Sequence, residues 1–270
     1  MKCKAIICDL DGTLLNENHI LSEYTLQIIK EIKKKGIDIY IATGRHHEEG
    51  FVIKKKLGLN SYLISSNGSR IHNEKNELIY SKNIPEKIVN KILNFNFDSE
   101  IHKNLFLNNK WYSEIKIEDL EGFCDETGFI QHIVPNFKNL NNEEIIKFFF
   151  LEKSGNKIFT LKNELEKILK NEVNFTLSSK TCLEIMNKDS SKGEAIKFIC
   201  SQNGLKLSEI IAFGDGFNDL DMLSIVGKGY LMGNHHPDLK KFLPSHEVIL
   251  SNKEDGVAIK LQELFLSNTN

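Results

Sequence analysis

The sequence lacks paired cysteines, long apolar runs and a charge imbalance. No Cys-x-x-Cys pair occurs among its five cysteines, which argues against a disulfide framework or a zinc site and for reduced thiols in a cytosolic protein. No window approaches the roughly 20 apolar residues of a membrane span, and Asp9 cuts short the N-terminal apolar run, so we expect no signal-peptide core. With 37 acidic and 35 basic residues, the composition favours neither a nucleic-acid partner nor a membrane surface.

Arginine is also scarce. The only two arginines are Arg45 and Arg70, and lysine is the usual basic residue. A position that keeps arginine in such a chain indicates a need for the planar guanidinium, which binds a carboxylate or a phosphate through two hydrogen bonds. Both arginines follow the ends of predicted strands, so we expect them at the rim of a site or at a contact between domains.

Two flanking parts of the chain alternate between strand and helix. Short apolar runs predict strands at residues 4–8, 38–42, 62–65, 209–213 and 229–232. Helical periodicity predicts a helix that Ser22 caps and Gly36 ends, and further helices at 46–57, 190–200 and 220–226. Strands joined by helices imply a parallel sheet, so the expected fold class is α/β with a Rossmann-like core.

The middle of the chain has a different pattern. Rough alternation over residues 111–117, after the turn-like 108–110, predicts a hairpin. Helices are expected at 86–93, 142–153 and 163–169, and strands at 157–161 and 182–186. We therefore interpret residues 84–186 as an inserted α+β domain, and residues 1–83 together with 187–270 as one α/β domain.

Two carboxylates, Asp9 and Asp11, directly follow the first predicted strand in the segment Asp9-Leu10-Asp11-Gly12-Thr13. Ligands of open α/β sheets bind beyond the carboxyl ends of the strands, and residues two apart in an extended segment point the same way. Asp9 can therefore attack phosphorus as a nucleophile while Asp11 protonates the leaving oxygen. The competing interpretation is a surface turn at the end of a strand.

Anion-binding groups follow other predicted strands. Thr43 and Gly44 offer a hydroxyl and an unhindered N–H before a helix N-terminus, which suits a phosphate. Lys192 begins a predicted helix and can neutralise phosphate charge. Each alone is more typical of an ordinary turn or a solvated lysine, and Asn67-Gly68 is equally ambiguous.

A further acidic group follows the strand predicted at 209–213. Asp215 is the candidate magnesium ligand with Asp219 in support, and Asn218 can donate to phosphate, since Mg²⁺ prefers oxygen ligands and keeps several waters. The twelve-residue ligand spacing of a calcium loop is absent. His46 and His47 could suggest a metal site, but adjacent helical residues point apart, so we interpret both as rim or surface residues.

The order of these groups resembles the four motifs of the haloacid dehalogenase-like superfamily. Residues 9–13 match the first motif, Thr43-Gly44 the second, Lys192 the third and residues 214–219 the fourth. The resemblance covers essentially the whole chain.

The likeness extends to the Cof-type branch through Ser66-Asn67-Gly68 and Met232-Gly233-Asn234. Within that branch, residues 42–47, 181–186 and 227–229 resemble segments of phosphatases of sugar phosphates and pyridoxal phosphate. A short stretch separates the first two motifs and a long one separates the second from the third. This spacing fits the Cof-type, C2B-like cap inserted late in the chain and disfavours the hexose-phosphate mutases that carry an early cap. Ser190-Ser191 departs from the Gly-Val-Ser that relatives often carry before the motif lysine, which affects the start of that helix.

The resemblance implies a role for each site residue. Asp9 would be the nucleophile and a magnesium ligand, Asp11 the acid/base and a ligand through its carbonyl, and Asp215 would complete the metal site. The phosphate would be held by Thr43, Gly44, Lys192, Asn218 and the backbone of Leu10.

The expected activity is magnesium-dependent hydrolysis of small phosphorylated metabolites through an aspartyl-phosphate in the cytoplasm. Two alternatives stay open: a phosphomutase or phosphotransferase, and a non-catalytic phosphate-ligand sensor, against which the intact carboxylates and lysine speak. Trp111 could stack on a substrate ring, although packing is the more typical role of a lone tryptophan in a hairpin. The physiological substrate and the oligomeric state do not follow from the sequence.

Overall fold

A computed structural model describes residues 3–116, 128–137, 140 and 144–267 of the 270-residue chain. The chain divides into two compact units, one made of Met1–Ile79 with Ser191–Asn270 and the other of Tyr80–Ser190. The second unit interrupts the sequence of the first. The inserted domain expected at 84–186 falls inside it.

The strands and helices are numbered here in chain order. The strands β1–β14 are Ala5–Cys8, Asp38–Ala42, Leu63–Ser65, Arg70–His72, Leu78–Ser81, His102–Phe106, Trp111–Ser113, Gln131–Ile133, Lys147–Leu151, Val173–Ser179, Cys182–Asn187, Ile210–Gly214, Lys228–Leu231 and Glu247–Val248. The helices α1–α8 are Glu23–Lys34, His47–Lys56, Glu86–Leu93, Asn156–Leu169, Lys192–Asn203, Leu220–Ile225, Leu239–Phe242 and Gly256–Phe265.

The first unit is built on an eight-stranded sheet in the order β14-β13-β12-β1-β2-β3-β4-β5. The pairs from β14 to β3 are parallel, and β4 pairs antiparallel with β3. Every residue of β1 is buried, as expected for a strand covered on both faces. Because β12, β1 and β2 are parallel neighbours, the residues after their last positions, Asp215, Asp9 and Thr43, lie along one edge of the sheet.

The first helix follows its expected capping pattern. The Ser22 side chain accepts a hydrogen bond of 2.9 Å from the Thr25 N–H, and Gly36 has φ of 74° just beyond the helix end. The apolar face of α1 packs into the core of the first unit, where Ile29 and Ile32 meet Leu261 of α8 and the sheet residues. Local capping and core packing therefore specify the same helix.

The second unit has a six-stranded sheet in the order β10-β11-β9-β6-β7-β8. Its pairs are antiparallel except for β7 with β8, which are parallel. Residues of α3 and α4, including Ile88 and Leu165, pack with Phe148 and Phe150 of β9 in one apolar core. This is the α+β arrangement expected from the sequence.

Two predicted elements of the second unit are wrong. The helix expected at 142–153 is replaced over Lys147–Leu151 by the strand β9, whose three consecutive phenylalanines suit a buried central strand better than a helix; residues 141–143 lie outside the described part. The strand expected at 157–161 lies within α4. There Ile158, Leu161 and Leu165 recur at helical spacing and are buried, and this longer period decides the structure.

Trp111 lies in the hairpin of β6 and β7 and is a packing residue. Its side chain packs with Phe106 and Phe149, and its indole N–H donates a hydrogen bond of 3.1 Å to Asn104 Oδ1. Trp111 is 5% exposed. The packing interpretation is therefore the one that the structure supports.

The described cysteines form no disulfide. Cys8 and Cys200 are buried, Cys3 and Cys182 are partly buried, and all four are free; Cys124 lies outside the described residues. Among the helices of the described residues, none is both long and apolar enough to cross a membrane.

His46 and His47 are buried, so the surface position expected for them is wrong. His46 is the N-cap of α2 rather than a residue inside it, and its Nδ1 accepts a hydrogen bond of 3.3 Å from the Glu48 N–H. The two rings therefore need not point apart: their centroids lie 4.0 Å from each other, and His72 lies 4.6 Å beyond His47. Burial lowers the pKa of His47 to about 2 and that of His72 to about 4.

Arg70 is also buried, with 1% of its surface exposed. It begins the antiparallel strand β4, and one guanidinium N–H donates a hydrogen bond of 2.9 Å to the Ser69 carbonyl. The expected rim position is wrong because the sequence analysis did not predict β4, which carries this residue into the interior.

Replacing His72 with phenylalanine is expected to make the protein less sensitive to acid. The unfolded chain takes up a proton as the pH falls below the usual histidine pKa of 6.5, whereas the folded chain does so only near 4. Between these values the free energy of unfolding of the wild type should fall by about 1.4 kcal/mol per pH unit more than that of His72→Phe. Urea unfolding of both proteins at several pH values, at one magnesium concentration, measures this difference.

His132→Phe is the control, because it removes a histidine that is exposed. A difference between His72→Phe and wild type that stays constant across the acid range would contradict a neutral, buried His72.

Candidate active site

The first part of the site is the turn that follows β1. Asp9 is buried, and residues Leu10–Leu14 form a tight turn in which Gly12 has φ of 76°. A Cβ atom on Gly12 would lie 2.3 Å from Asp215 Oδ2, so only glycine fits between the two acidic segments. The Thr13 hydroxyl donates a hydrogen bond of 2.9 Å to Asp215 Oδ1, which ties this turn to the loop after β12.

Lys192 lies between two carboxylates. It begins α5 after the N-cap Ser191 and is fully buried. Its Nζ donates hydrogen bonds of 2.6 Å to Asp9 Oδ1 and of 2.6 Å to Asp219 Oδ1. Because a lysine this buried requires charged partners, the two ion pairs explain why it remains inside the protein.

Asp219 also organises the loop after β12. Its Oδ2 accepts hydrogen bonds from the backbone N–H groups of Asp215 and Gly216, at 2.9 and 3.0 Å. With Oδ1 bound to Lys192, both oxygens of Asp219 have partners within the protein. The Asp219 carboxylate therefore fixes the position of the Lys192 ammonium relative to the backbone of Asp215.

Three acidic side chains could hold a metal ion. Ligand atoms of Asp9, Asp215 and Asp219 lie within 4.8 Å of one another. Burial, then the charge of Asp219, raises the pKa of Asp215 to about 7, and burial also raises the pKa of Asp9, although Lys192 opposes that rise. Two buried carboxylates and the partly buried Asp215 face one ammonium, so an oxygen-preferring divalent cation fits the charge and the donor set.

The groups after β2 and β3 form a second side of the site. The Thr43 hydroxyl accepts a hydrogen bond of 3.1 Å from the Arg45 N–H, and its carbonyl accepts one of 3.0 Å from the Asn67 N–H. Asn67 Oδ1 in turn accepts a hydrogen bond of 3.2 Å from Asn218 Nδ2. A Cβ atom on Gly44 would lie 3.0 Å from Asn67 Oδ1. A side chain at position 44 would therefore crowd the side-chain amide of Asn67.

Asn67 lies in a buried segment with an unusual backbone conformation. Ser66, Asn67 and Gly68 have consecutive positive φ values of 47°, 51° and 89°, and all three are buried. A Cβ atom on Gly68 would lie 2.1 Å from the Ser191 carbonyl oxygen. Such strain in a buried segment is typical of functional sites. Its signals in the sequence are the Asn-Gly pair after a strand and the likeness of Ser66-Asn67-Gly68 to a Cof-type signature.

Asp11 is bound by two residues that the sequence analysis did not connect with it. Arg45 Nε donates a hydrogen bond of 2.6 Å to Asp11 Oδ2, and Arg45 Nη2 bonds to Asp11 Oδ1. His19 Nδ1 lies 2.8 Å from the same Oδ1. Burial would raise the pKa of Asp11, but the hydrogen bonds from Arg45 and His19 outweigh it, so the pKa is held well below its usual range.

Leu10 completes the set of predicted site residues. Its side chain is fully buried in the core of the first unit. Only its backbone is therefore available to a ligand, in keeping with the role that the resemblance implies.

Comparison with known proteins identifies the family. Residues 6–261 match the haloacid dehalogenase-like hydrolases. The chain belongs to this family. A protein of Buchnera aphidicola subsp. Acyrthosiphon pisum is 39% identical over 267 residues, which is 98% of this chain and 97% of that protein. Its name describes it provisionally as a phosphatase. An HMP-PP phosphatase of Yersinia pseudotuberculosis is 32% identical over 250 residues, covering 93% of this chain and 91% of its own length.

The fold has a match among solved structures. A haloacid dehalogenase-like hydrolase from B. subtilis is 25% identical with a TM-score of 0.85, covering 97% of this chain and 100% of that chain. This likeness confirms the predicted α/β class with a Rossmann-like core. The family and its phosphatase-named relatives confirm the predicted enzyme class, a phosphatase.

Magnesium is expected to stabilise the wild-type protein and to do so much less after Asp215→Asn. The cation would offset the repulsion among the buried carboxylates, and a ligand at one hundred times its Kd adds about 2.7 kcal/mol to the free energy of unfolding. Thermal unfolding across a series of MgCl₂ concentrations measures the shift in Tm for both proteins.

Asp238→Asn, which removes a half-exposed aspartate paired with Lys241, is the matched control and should keep the wild-type shift. Equal shifts in wild type and Asp215→Asn, or no shift in the wild type, would contradict a metal site at these carboxylates.

Proposed function

We propose that this protein is a magnesium-dependent phosphatase that hydrolyses small phosphorylated metabolites through an aspartyl-phosphate on Asp9. The observation that carries the proposal is the buried Asp9 carboxylate, bonded to Lys192 and within reach of Asp215 and Asp219. A carboxylate without this environment would be an ordinary acid at a strand end. Here its neighbours supply the charges that phosphoryl transfer requires.

Asp9 is the nucleophile in this proposal. Its Oδ1 is held by Lys192, so its second oxygen is the one free to attack phosphorus in line with the leaving oxygen. The same lysine stays protonated, because two carboxylates raise its pKa despite its burial. The Lys192 ammonium can therefore stabilise the Asp9 carboxylate first and the transferred phosphoryl group afterwards.

The metal would be held by Asp9 and Asp215, with Asp219 in support and, as the family resemblance implies, the carbonyl of Asp11. Magnesium bound there would neutralise charge on the phosphoryl oxygens. Asp219 contributes chiefly by holding the backbone of Asp215 and the Lys192 ammonium in position.

The remaining phosphate contacts come from the turns after β1, β2 and β12. The Thr43 hydroxyl and the N–H groups of Gly44 and Leu10 are donors before or within helical turns, where anions are favoured. Asn218 is oriented by its bond to Asn67, and its amide keeps a second N–H for a phosphate oxygen. These donors complement Lys192.

Asp11 is the acid/base. In the absence of substrate Arg45 and His19 keep Asp11 ionised, and the negative charge of a phosphate ester bound beside it would favour the protonated form. As the Asp9 oxygen bonds to phosphorus, the bond to the ester oxygen breaks and protonated Asp11 gives that oxygen its proton. The Asp11 carboxylate then takes a proton from the water that attacks the aspartyl-phosphate, which releases inorganic phosphate and restores Asp9. Asp11 is thereby protonated again, as it was before the first step.

The substrate in this proposal is a small phosphorylated metabolite. The Cof-type likeness implies that the second unit acts as a cap, and it favours sugar phosphates and pyridoxal phosphate. The Yersinia relative is an HMP-PP phosphatase, which adds another phosphorylated small molecule to the classes worth testing.

A phosphate-release screen should find hydrolysis of at least one such compound with magnesium. Sugar phosphates, pyridoxal phosphate, nucleotides and HMP-PP would be supplied in parallel, and isomeric sugar phosphates would be followed by chromatography. Inorganic phosphate is the expected product. Interconversion of isomers without phosphate release would instead identify a phosphomutase, and no reaction with any ester would contradict the proposal.

Asp9→Asn should reduce kcat by at least about a thousandfold, because the amide keeps the volume of the side chain but cannot attack phosphorus. The measurement is steady-state phosphate release on the best substrate of the screen, with circular dichroism to verify the fold. Asp238→Asn is again the control and should retain wild-type kcat. Substantial turnover by folded Asp9→Asn would remove Asp9 from the mechanism.

A further inference from the structure

The carboxylate of Asp11 is held at both of its oxygens. Arg45 contacts both, through Nε at 2.6 Å from Oδ2 and through Nη2 on Oδ1, and His19 Nδ1 approaches Oδ1 at 2.8 Å. The Asp11 side chain is 40% exposed, whereas that of Arg45 is only 10% exposed. An exposed carboxylate would otherwise sample several rotamers, so its single orientation depends on these partners.

Arg45 is itself fixed by the strand ends around it. It follows Thr43-Gly44 directly, its N–H donates to the Thr43 hydroxyl, and its carbonyl accepts a hydrogen bond of 2.8 Å from the Ser66 N–H. The guanidinium therefore reaches Asp11 from the same segment that is proposed to bind the phosphate. A lysine here would keep the charge but could not bind both oxygens in the plane of the carboxylate.

His19 reaches Asp11 from a different segment. It lies in the loop after the Leu10–Leu14 turn, has φ of 58°, and its N–H donates a hydrogen bond of 2.9 Å to the Asn16 carbonyl. Its side chain is 59% exposed, so it is the looser of the two partners. Arg45, which contacts both oxygens, is therefore the main partner of the Asp11 carboxylate, and His19 assists it.

We propose that Arg45, assisted by His19, is the positioning residue that aims the Asp11 carboxyl group at the leaving oxygen of the ester. This inference rests on the proposed function, in which Asp11 protonates that oxygen. In this inference Arg45 acts on the leaving oxygen only through the Asp11 carboxyl group. Its contribution should therefore matter most for esters whose leaving oxygen needs a proton, and least for esters whose leaving group departs as a stable anion.

Leaving-group dependence separates this role from a purely structural one. The values of kcat/KM would be measured for p-nitrophenyl phosphate, whose leaving group needs no proton, and for an alkyl phosphate such as a sugar phosphate. Both values report only the steps up to transfer of the phosphoryl group to Asp9. The variants are Arg45→Lys, His19→Asn, Asp11→Asn and the double variant of Arg45→Lys with Asp11→Asn.

Arg45→Lys should lower kcat/KM for the alkyl phosphate about tenfold more than kcat/KM for p-nitrophenyl phosphate. General acid catalysis contributes roughly 10²–10⁴-fold to the rate, and misplacing the acid should lose part of that factor. His19→Asn, which tolerates the positive φ, should shift the ratio in the same direction by a smaller factor. Combining Arg45→Lys with Asp11→Asn should cost the alkyl ester no more than Asp11→Asn alone, since both changes remove one function. His132→Asn, an exposed histidine of the second unit, is the control.

Equal losses on both esters after Arg45→Lys, or additive losses in the double variant, would overturn the positioning role while leaving the proposed function intact. Failure of the wild type to hydrolyse either ester, or activity of Asp9→Asn, would instead contradict the proposed function itself. Thermal unfolding of each variant identifies a loss that comes from misfolding, and His19→Asn, on an exposed loop, tests the inference if Arg45→Lys does not fold.

Discussion

The buried ammonium of Lys192, bonded to Asp9 and Asp219, is the interaction on which the rest of the site depends. Removing one partner from a buried ion pair costs about 3–5 kcal/mol, because it leaves an uncompensated charge. Lys192 joins three parts of the first unit: the end of β1, the start of α5 and the loop after β12. With the charge of Asp215 added, the cluster stays negative, which accounts for both its fit to a divalent cation and its suitability for phosphate chemistry.

The backbone around this ion pair is arranged to hold it in position. Gly12 packs against Asp215, and Gly68 packs against Ser191 just before Lys192, at separations that exclude any side chain. The strained 66–68 segment therefore supports the helix start that carries the lysine, while its asparagine orients Asn218. These close backbone contacts reinforce the ion pairs of Lys192, so the site can be rigid before a ligand binds.

Much of this could be predicted from the sequence, because Asp9, Thr43 and Asp215 directly follow short, mainly apolar strands. Parallel neighbours bring Asp9, Thr43 and Asp215 to one edge whatever the details of packing. The contacts of Arg45 with Asp11 could not be predicted in this way, since they depend on rotamers and on how a loop closes. In the second unit, the two wrong predictions have a different cause. The three phenylalanines of β9 were interpreted without the sheet order that makes them part of a central strand, and residues 157–161 were interpreted without the longer helical period of α4.

The central claim is that phosphorus becomes bonded to Asp9, and the direct measurement is to find it there. The protein with magnesium and an excess of its best phosphate ester would be quenched in acid within milliseconds, digested, and searched by mass spectrometry for a phosphorylated peptide. The account predicts a phosphoryl group on the peptide containing Asp9, formed before phosphate release and absent from Asp9→Asn. A phosphoryl group on another residue, or rapid turnover with no phosphorylated peptide at any time, would contradict it.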